Sequence, residues 1–418
     1  MQAPRGTRDF GPNEMAARRG LEERLRNVLR TYHYHEVATP AFEELELFLA
    51  KSGPGIRDEI YDFKDKSGRE LALRPELTAP TMRFYFANLK MEPKPLRLFY
   101  FGPCYRYDRP QAGRYREFWQ LGIELLGDET PNAHAEVLRL ALQLFEEAGL
   151  KNFVLRVGHL GILRALLEEA GVKRADQAPL MRYIDKKDLA ALEKALQERG
   201  GEKAADTILR FFQLERLEEL RPLAASPDAM TAFQHLESTW AALAALGADM
   251  TRVRIDPTIA RGLEYYTGLV FELDAPDLGA EKQLLGGGAY DLSGVFNEQP
   301  IASMGFALGF DRTLVALERT QVPPTTPGRV DVILGALVPE AWPEAARLAQ
   351  ILRKSGRVVE LESQPVGIKK LLGRASQIRA RHAVFLGTKE LERKVVAVKD
   401  LDTGTQSEIS AAELASKL

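Results

Sequence analysis

The chain has 418 residues, of which 45% are hydrophobic and 28% charged, and its formal net charge is −2. This length predicts two or three domains, and the lack of any run of about 18 apolar residues argues against a membrane span. The charged N-terminus does not resemble a secretory signal, and a single cysteine, Cys104, excludes internal disulfides and indicates a reducing compartment. We therefore expect a cytoplasmic protein in which Cys104 is a buried thiol.

Helical and extended patterns alternate over the first third of the chain. Asn13 is a candidate N-cap for a first helix, because apolar residues recur at helical spacing after it. One extended segment ends at Pro40, "LALRP" forms another, and a helix is predicted after Thr78. The clearest hairpin spans residues 96–127, "LRLFYFGPCYRYDRPQAGRYREFWQLGIELLG".

The rest of the chain divides at two places. Residues from about 150 to 250 have a largely helical pattern and interrupt two strand-rich regions, as an insertion would, before strand-like segments return at 251–309. Three prolines and a glycine in "ERTQVPPTTPGR" (318–329) indicate a linker. Strands and helices alternate beyond it, which predicts a compact α/β domain with a parallel or mixed sheet.

The second strand of the hairpin, "EFWQLGIEL", has two different faces because side chains alternate along a strand. One face is wholly apolar: Trp119, Leu121, Ile123 and Leu125. The other carries Phe118, Gln120, Gly122 and Glu124. This second face is either solvated or a ligand surface, and a glycine beside an aromatic ring suits a ligand lying against the sheet.

Several arginines surround the same hairpin. Arg106 lies near the end of the first strand, and the loop adds Arg109, Arg114 and Arg116. Guanidinium groups this close repel one another unless an anion or carboxylates balance them, and arginine is the usual reader of phosphate. The alternative is a set of surface arginines that contribute little individually.

Two further segments place polar groups where an ion could bind. In "GFALGFDR", Arg312 lies in the first turn of a helix, where a cation opposes the helix dipole and requires an anion, either a phosphate or a neighbouring carboxylate. In "LALRPELTAP", Glu76 and Thr78 follow a strand end and are suited to holding an ammonium group.

Two segments between 258 and 291 combine glycine with tyrosine. "TIARGLEYYTGLVFEL" contains Arg261, Tyr265 and Tyr266, and is either a hairpin with an arginine on its rim or a site that pairs an arginine with a negative charge. "GGGAYD" allows the backbone to approach a ligand closely and presents Tyr290 and Asp291.

Common nucleotide and metal motifs do not occur. The chain has neither GxxxxGK[ST] nor GxGxxG, so neither a P-loop nor a Rossmann site is indicated. Its six histidines form no HxxxH pair, so no zinc site is predicted.

These pieces, in this order, resemble the class II aminoacyl-tRNA synthetases. The strand ending at Pro40, "YRYDRPQAGRYREF" and "GFALGFDR" are similar to motifs 1, 2 and 3 of that class, and "RGLEYYTGLVFE" with "GGGAYD" resembles the segments that distinguish its histidine-specific members. The resemblance implies an α+β fold in which an antiparallel sheet with flanking helices carries a helical insertion and a C-terminal α/β anticodon-binding domain. The implied division is a catalytic domain (1–150 and 251–318), the insertion (151–250), a linker (319–329) and the anticodon-binding domain (330–418).

The resemblance also implies an activity and its participants. A histidine–tRNA ligase uses ATP to make histidyl-adenylate and pyrophosphate, then transfers histidine to the 3′ end of its tRNA. Mg²⁺ is expected with ATP, and a homodimer is expected with motif 1 in the interface.

Residue roles follow from the same resemblance. Arg106 and Arg261 are the implied catalytic residues, beside the α-phosphate. The other ATP-binding residues are Arg114, Phe118 and Arg312, with adenine between the last two. The implied histidine-binding residues are Glu76, Thr78, Gln120, Glu124, Tyr265, Tyr266 and Tyr290. Among them, Glu124 and Tyr266 read the imidazole, and Glu76, Thr78 and Gln120 receive the α-ammonium group.

Three positions depart from the family pattern. Asp108 stands where motif 2 usually has glutamate, and Ala289 and Leu292 stand where the glycine-rich segment usually has arginine and glycine. These departures weaken the assignment of that segment and leave Arg106, Arg261, Gln120 and Glu124 unaffected.

The C-terminal region is locally basic. Residues 367–399 contain nine Lys or Arg and two acids, a local excess of 9 − 2 = +7. Contact with an RNA backbone requires such a surface, although a solvated helix face would have a similar composition.

Three other functions fit parts of the pattern. The main alternative is a non-catalytic, synthetase-like regulatory subunit of ATP phosphoribosyltransferase, but such paralogues lack the anticodon-binding domain and tend to lose the catalytic arginines. A tRNA-sensing module and a synthetase for another amino acid are the others. The arginines count against the former, and "RGLEYYTG" counts against the latter.

Overall fold

The computed structural model describes residues 1–52, 54–107, 115–185, 188–259 and 265–418, which form two compact units, Met1–Thr325 and Thr326–Leu418. The helices of the first unit are α1 (Pro12–Thr31), α2 (Leu45–Ser52), α3 (Thr78–Phe84), α4 (Pro131–Ala148), α5 (Leu160–Glu169), α6 (Gln177–Asp185), α7 (Leu189–Phe211), α8 (Leu217–Leu220), α9 (Pro227–Ala245) and α10 (Phe310–Arg319). Its strands are β1 (His35–Glu36), β2 (Phe42–Glu44), β3 (Tyr61–Lys64), β4 (Glu70–Leu73), β5 (Leu96–Tyr105), β6 (Glu117–Leu126), β7 (Val154–His159), β8 (Val253–Ile255), β9 (Tyr266–Asp274), β10 (Gln283–Tyr290) and β11 (Ser303–Gly309).

A large, mainly antiparallel sheet organises the first unit. Among the described residues, eight strands form it in the order β1-β5-β6-β11-β10-β9-β7-β8, with parallel pairing only for β1 with β5 and β7 with β8. A smaller sheet has the order β2-β4-β3. The hairpin of β5 and β6 confirms the prediction for 96–127, and the predicted apolar face is fully buried at Leu121, Ile123 and Leu125.

Helices cover the buried face of the large sheet. Helix α4 packs against α1 and α9, while α5 packs against α9 and β9. Helix α4 is capped at its N-terminus by Thr130, whose hydroxyl accepts a hydrogen bond from the N–H of Ala133. At its C-terminus, Gly149 follows in the left-handed conformation (φ 92°), which favours glycine. No described helix is long and apolar enough to cross a membrane.

One local prediction is wrong, and a second is confirmed only in part. The first helix begins at Pro12 after Gly11, and not after Asn13, because proline needs no N–H donor in a first turn and Glu14 accepts a hydrogen bond from the N–H of Gly11 at 2.8 Å. Residues 150–250 are largely helical, as predicted, but β7 within them is a strand of the large sheet. Its buried Leu155 and Val157 alternate with less buried residues, which is strand periodicity.

The second unit contains β12 (Val332–Ala336), α11 (Trp342–Lys354), β13 (Val359–Leu361), α12 (Ile368–Gln377), β14 (His382–Leu386), α13 (Thr388–Arg393), β15 (Val395–Asp400), β16 (Gln406–Ser410) and α14 (Leu414–Lys417). Its sheet has the order β13-β12-β14-β15-β16. The strands β12, β13 and β14 run parallel, and β15 and β16 are antiparallel to their neighbours. The predicted α/β alternation is confirmed, and the sheet is of the mixed kind, with apolar clusters on both faces.

Candidate active site

Two adjoining cavities lie against strands β6, β10 and β11. One has a volume of about 300 Å³ and contains Glu124, and we call it the Glu124 pocket. The other has a volume of about 200 Å³ and contains Arg312, and we call it the arginine cleft. Arg106, Gln120, Gly286 and Ala307 line both cavities, so the two form one continuous site.

Glu124 is the most enclosed acid of the site, with 1% of its surface exposed. Its Oε1 accepts a hydrogen bond from the Tyr100 hydroxyl at 3.0 Å, and its Oε2 accepts one from the Tyr290 hydroxyl at 2.7 Å. Burial raises the pKa of Glu124 to about 7, against the opposing effect of hydrogen bonds from Tyr290, Thr78 and Tyr100 and of the charge on Lys51. The carboxyl group is therefore poised between its two protonation states near neutral pH.

Tyr100 explains the glycine on the predicted ligand face. It pairs with Gly122 across the hairpin, and a Cβ placed on Gly122 would lie 2.5 Å from the Tyr100 ring. Gly122 therefore makes room for a tyrosine of the same chain rather than for a ligand, which corrects the sequence interpretation. Tyr100 was not predicted, since the register that sets it opposite Gly122 is not a local property of β5.

Three predicted tyrosines line the Glu124 pocket together. The rings of Tyr265 and Tyr266 have centroids 4.6 Å apart, and Tyr265 meets Tyr290 edge to face at 5.9 Å. The backbone carbonyl of Tyr266 accepts a hydrogen bond from the Arg164 guanidinium at 3.0 Å, which ties the start of β9 to α5. The site therefore has an aromatic wall beside Glu124, where a flat ring can pack.

Glu76 and Thr78 line the same pocket, at the start of α3. Glu76 accepts hydrogen bonds from the N–H groups of Thr78, at 2.6 Å, and Ala79, at 3.1 Å. The ammonium group of Lys51 in α2 lies 3.0 Å from Glu76 Oε2. Lys51 was not predicted, because nothing in the sequence around it indicates a partner across the fold.

Gln120 lies where the two cavities meet. Its side-chain oxygen accepts a hydrogen bond from the Cys104 thiol at 3.3 Å. Cys104 is fully buried, as expected, and burial raises the pKa of its thiol to about 12. The protonated thiol therefore orients Gln120 and is not a nucleophile.

The arginine cleft combines guanidinium groups with an aromatic ring. Arg106 donates a hydrogen bond from Nε to the carbonyl of Pro75 at 3.0 Å, and its guanidinium carbon lies 5.1 Å from the centre of the Phe118 ring. Arg312 donates to the carbonyl of Gln283 at 3.2 Å. Phe118 and Arg312 both line this cleft, which has the groups needed to stack against a planar base.

Asp311 holds the wall of the arginine cleft in place. Its Oδ1 accepts hydrogen bonds from Arg8 and Arg18, each at 2.6 Å, and its Oδ2 accepts one from the backbone N–H of Trp119 at 2.6 Å. The Arg8 guanidinium also stacks on the ring of Tyr115, 3.3 Å from its centre. One buried carboxylate thus joins the N-terminal segment, α1, β6 and α10.

The other residues singled out in the sequence either lie outside the described residues or line neither cavity. Arg114 and Arg261, together with Arg109 and Asp108, lie outside the described residues. Asp291 caps a turn by accepting from the N–H of Ser293 at 2.9 Å, and does not line the Glu124 pocket. Ala289 and Leu292, the departures from the family pattern, are 9% and 2% exposed and pack in the interior.

Metal ligands are not arranged for binding in the described part of the chain. There, no group of three or more His, Cys, Asp or Glu side chains is placed to hold a metal ion.

Comparison with known proteins gives the same family for nearly the whole chain. Residues 6–313 match the family model described as histidyl-tRNA synthetase, and residues 331–418 match the one described as an anticodon binding domain. The histidine–tRNA ligase of Archaeoglobus fulgidus is 45% identical over 419 residues, covering 100% of this chain and 99% of that relative.

Solved structures titled as histidyl-tRNA synthetases are similar to the chain over most of its length. Apo S. aureus histidyl-tRNA synthetase matches with a TM-score of 0.78 and 28% identity, over 100% of this chain and 99% of that chain. A Bacillus halodurans C protein titled as an ATP phosphoribosyltransferase regulatory subunit/histidyl-tRNA synthetase matches with a TM-score of 0.78 and 26% identity, over 92% of this chain and 98% of that one. The chain therefore belongs to the histidyl-tRNA synthetase family, whose members use ATP to join histidine to tRNA.

Proposed function

We propose that the Glu124 pocket binds the substrate histidine and that the arginine cleft binds ATP. One observation carries this assignment: a buried carboxylate, held by two tyrosine hydroxyls, lies in a pocket continuous with a cleft lined by arginines and a phenylalanine. In this assignment an amino acid and a nucleotide would lie end to end, with Arg106 and Gln120, which line both cavities, at the junction.

The Glu124 pocket suits an imidazole. A neutral imidazole is both a donor and an acceptor, so its N–H can donate to Glu124 while the hydroxyl of Tyr266 serves its other nitrogen. A site built to hydrogen-bond a side chain rejects analogues that leave its buried groups unpaired. The α-ammonium group of histidine would be received by Glu76, Thr78 and Gln120.

The activation step follows from the junction of the cavities. A carboxylate oxygen of histidine attacks the α-phosphorus of ATP, forming one P–O bond while the bond to pyrophosphate breaks. Negative charge builds on the non-bridging oxygens, and Arg106 and Arg261 stabilise it. The attacking carboxylate is already ionised, so no general base is needed. In the second step a hydroxyl at the 3′ end of tRNA attacks the activated carbonyl, and AMP leaves.

The adenosine half of ATP is assigned to the arginine cleft. Phe118 and Arg312 would hold adenine between them, and Arg114 would bind the outer phosphates. Mg²⁺ would enter as part of the ATP substrate. Since the described residues form no metal-binding group, no protein ligand and no step is assigned to it.

The division of labour along the chain is also a proposal. Residues 1–150 and 251–318 would form the catalytic domain together with β7, which belongs to the same sheet. The rest of 151–250 would be the insertion, and 319–329 the linker. Residues 330–418 would bind the anticodon region of tRNA.

Within residues 330–418, Lys369, Lys370 and Lys389 are exposed, whereas Arg374 bonds to Glu360 at 2.8 Å. These exposed lysines would be available to phosphates of the RNA backbone.

We further propose a cytoplasmic homodimer. The residues after Pro40 support an interface, because Phe42 and Phe63 on the small sheet are 50% and 42% exposed and their rings are 6.3 Å apart. Sedimentation equilibrium should give twice the chain mass of 46.7 kDa. A concentration-independent monomer would contradict this part of the proposal.

The central test is ATP–pyrophosphate exchange with each of the twenty amino acids. We expect exchange with histidine alone. Absence of histidine-dependent exchange would contradict the assignment of this site, and exchange with another amino acid would contradict its specificity.

A single substitution tests the role given to Arg261. Arg261→Ala should fold normally and lose most adenylate formation, by at least about a hundredfold, because a fixed charge on the transition state is removed. Circular dichroism checks the fold and single-turnover adenylate formation checks the rate. Near-normal turnover would show that Arg261 has another role.

A further inference from the structure

Lys51 is a buried lysine in the wall of the Glu124 pocket. Only 5% of its side chain is exposed, its Nζ lies 3.0 Å from Glu76 Oε2, and the same nitrogen lies 4.8 Å from the centre of the Tyr265 ring. Lysine is almost never buried unless it is paired, and burying its ammonium group costs free energy. A lysine in this place therefore needs an explanation.

Glu76 has hydrogen-bond donors besides the ammonium group of Lys51. The Glu76 carboxylate already accepts hydrogen bonds from the backbone N–H groups of Thr78 and Ala79, at 2.6 and 3.1 Å. A carboxylate satisfied in this way tolerates a neutral neighbour. The ammonium group instead adds a positive charge to a pocket that has an excess of acids.

The charges facing the pocket can be counted element by element. The titratable or charged residues that line it, besides Lys51, are Glu59, Glu76, Arg106, Glu124 and the tyrosines 265, 266 and 290. With Lys51, three carboxylates face two cations when all are ionised. Without Lys51, three carboxylates would face Arg106 alone.

We propose that Lys51 is a positioning residue for histidine, one that fixes the Glu76 carboxylate and the Tyr265 ring and supplies the positive charge against which the pocket carboxylates act. This inference rests on the assignment of the Glu124 pocket to histidine. Lys51 lies in α2, which is not one of the segments that resemble the motifs of class II synthetases.

The electrostatics of Glu124 agree with this geometry. Burial raises its pKa, and the charge on Lys51 opposes that rise. An ionised Glu124 accepts a hydrogen bond from the imidazole N–H better than a protonated Glu124 does, because the protonated carboxyl group carries an O–H that itself needs an acceptor. Removal of the lysine charge should therefore move the ionisation of Glu124 to higher pH.

The test compares Lys51→Met and Lys51→Arg with wild type in histidine-dependent ATP–pyrophosphate exchange, from pH 6 to pH 9. Lys51→Met should lower kcat/KM for histidine by about tenfold, because the ion-pair partner of Glu76 is lost, with little change in KM for ATP. The acid limb of its profile should lie at higher pH than that of wild type. Lys51→Arg keeps the positive charge, so the acid limb of its pH profile should coincide with that of wild type, even if its KM for histidine rises.

Lys66→Met is the matched control, since Lys66 is exposed in the loop between β3 and β4. An unchanged kcat/KM for histidine, or an unchanged acid limb, in Lys51→Met would overturn the proposal. If thermal unfolding shows that the Met variant is misfolded, Lys51→Gln takes its place with the same expected outcomes. Failure of wild type to activate histidine would instead contradict the proposed function, so the two failures are distinguishable.

Discussion

The two halves of the site are stabilised in different ways. In the Glu124 pocket, side chains bond to one another: Tyr100 and Tyr290 to Glu124, and Lys51 to Glu76. In the arginine cleft, Asp311 braces the wall through side-chain bonds, but the guanidinium groups that line the cavity, those of Arg106 and Arg312, donate to backbone carbonyls. Phe118 adds a ring face to this cleft. The first half is pre-organised around one polar side chain. In the proposed assignment, this half would select histidine through hydrogen bonds already made within the protein, whereas the second half would suit any adenine nucleotide.

The largest expected effect comes from the carboxylate that braces the arginine cleft. Asp311→Ala should lower the free energy of unfolding of the first unit by about 3–5 kcal/mol, because it leaves Arg8 and the buried Arg18 without their shared anion. Urea unfolding measures the change, and KM for ATP should rise in the same variant.

Asp228→Ala is the control for this substitution. Asp228 also lies in a first helical turn, that of α9, but it is exposed. Its loss should cost at most about 1 kcal/mol. Equal costs for the two variants would show that Asp311 acts only through the helix dipole.

The next effect concerns the Glu124 pocket. Glu124→Gln should lower kcat/KM for histidine by about a hundredfold to a thousandfold, because the amide presents an N–H₂ donor to groups that already donate. KM for ATP should change little if the two halves are independent. Glu117→Gln, at the start of the same strand, is a control expected to retain exchange activity. A comparable rise in both Michaelis constants for Glu124→Gln would mean that the halves are coupled.

Glu124→Gln should also reveal how much the burial of the Glu124 carboxylate lowers the free energy of unfolding. The folded pKa of Glu124, about 7, lies above its ordinary value of 4.5. The contribution of Glu124 to stability is thus fully present below about pH 4.5 and is lost as the pH rises through about 7. Since glutamine does not titrate, the stability of Glu124→Gln relative to wild type should increase between pH 5 and pH 8, by up to about 3 kcal/mol. Denaturant unfolding at several pH values measures it, and a constant difference would show that Glu124 is not strained by burial.

The smallest effect is expected at the adenine ring. Phe118→Leu keeps an apolar side chain but removes the flat face, so KM for ATP should rise by about fivefold, corresponding to about 1 kcal/mol of stacking. KM for histidine is the internal control. Equal changes in KM for ATP and KM for histidine would mean that Phe118 maintains the structure of β6 and does not stack on the nucleotide.

Strand periodicity predicted most of the site on β6. The alternation of "EFWQLGIEL" was sufficient to place Phe118, Gln120 and Glu124 on one face, because successive side chains of a strand point to opposite sides. The motif resemblance supplied Tyr265, Tyr266 and Tyr290, all of which line the Glu124 pocket.

Residues that act through distant contacts were not predictable in this way. Tyr100 depends on the pairing register of the hairpin, and Lys51 depends on how α2 packs beside the start of α3. The bracing role of Asp311 was not predicted, because nothing local indicates that its partners are Arg8 and Arg18. A single sequence contains local periodicity, whereas these contacts arise only when remote segments meet.

The bond between Arg8 and Asp311 also has a consequence for biosynthesis. The two residues are 303 positions apart, and Arg18 is 293 positions from the same carboxylate. During translation the N-terminal segment leaves the ribosome long before α10 exists, so the wall of the arginine cleft cannot close until most of the first unit has been made. We therefore expect nascent chains that end before α10 to leave their first twenty residues open to proteases, and longer chains to protect them.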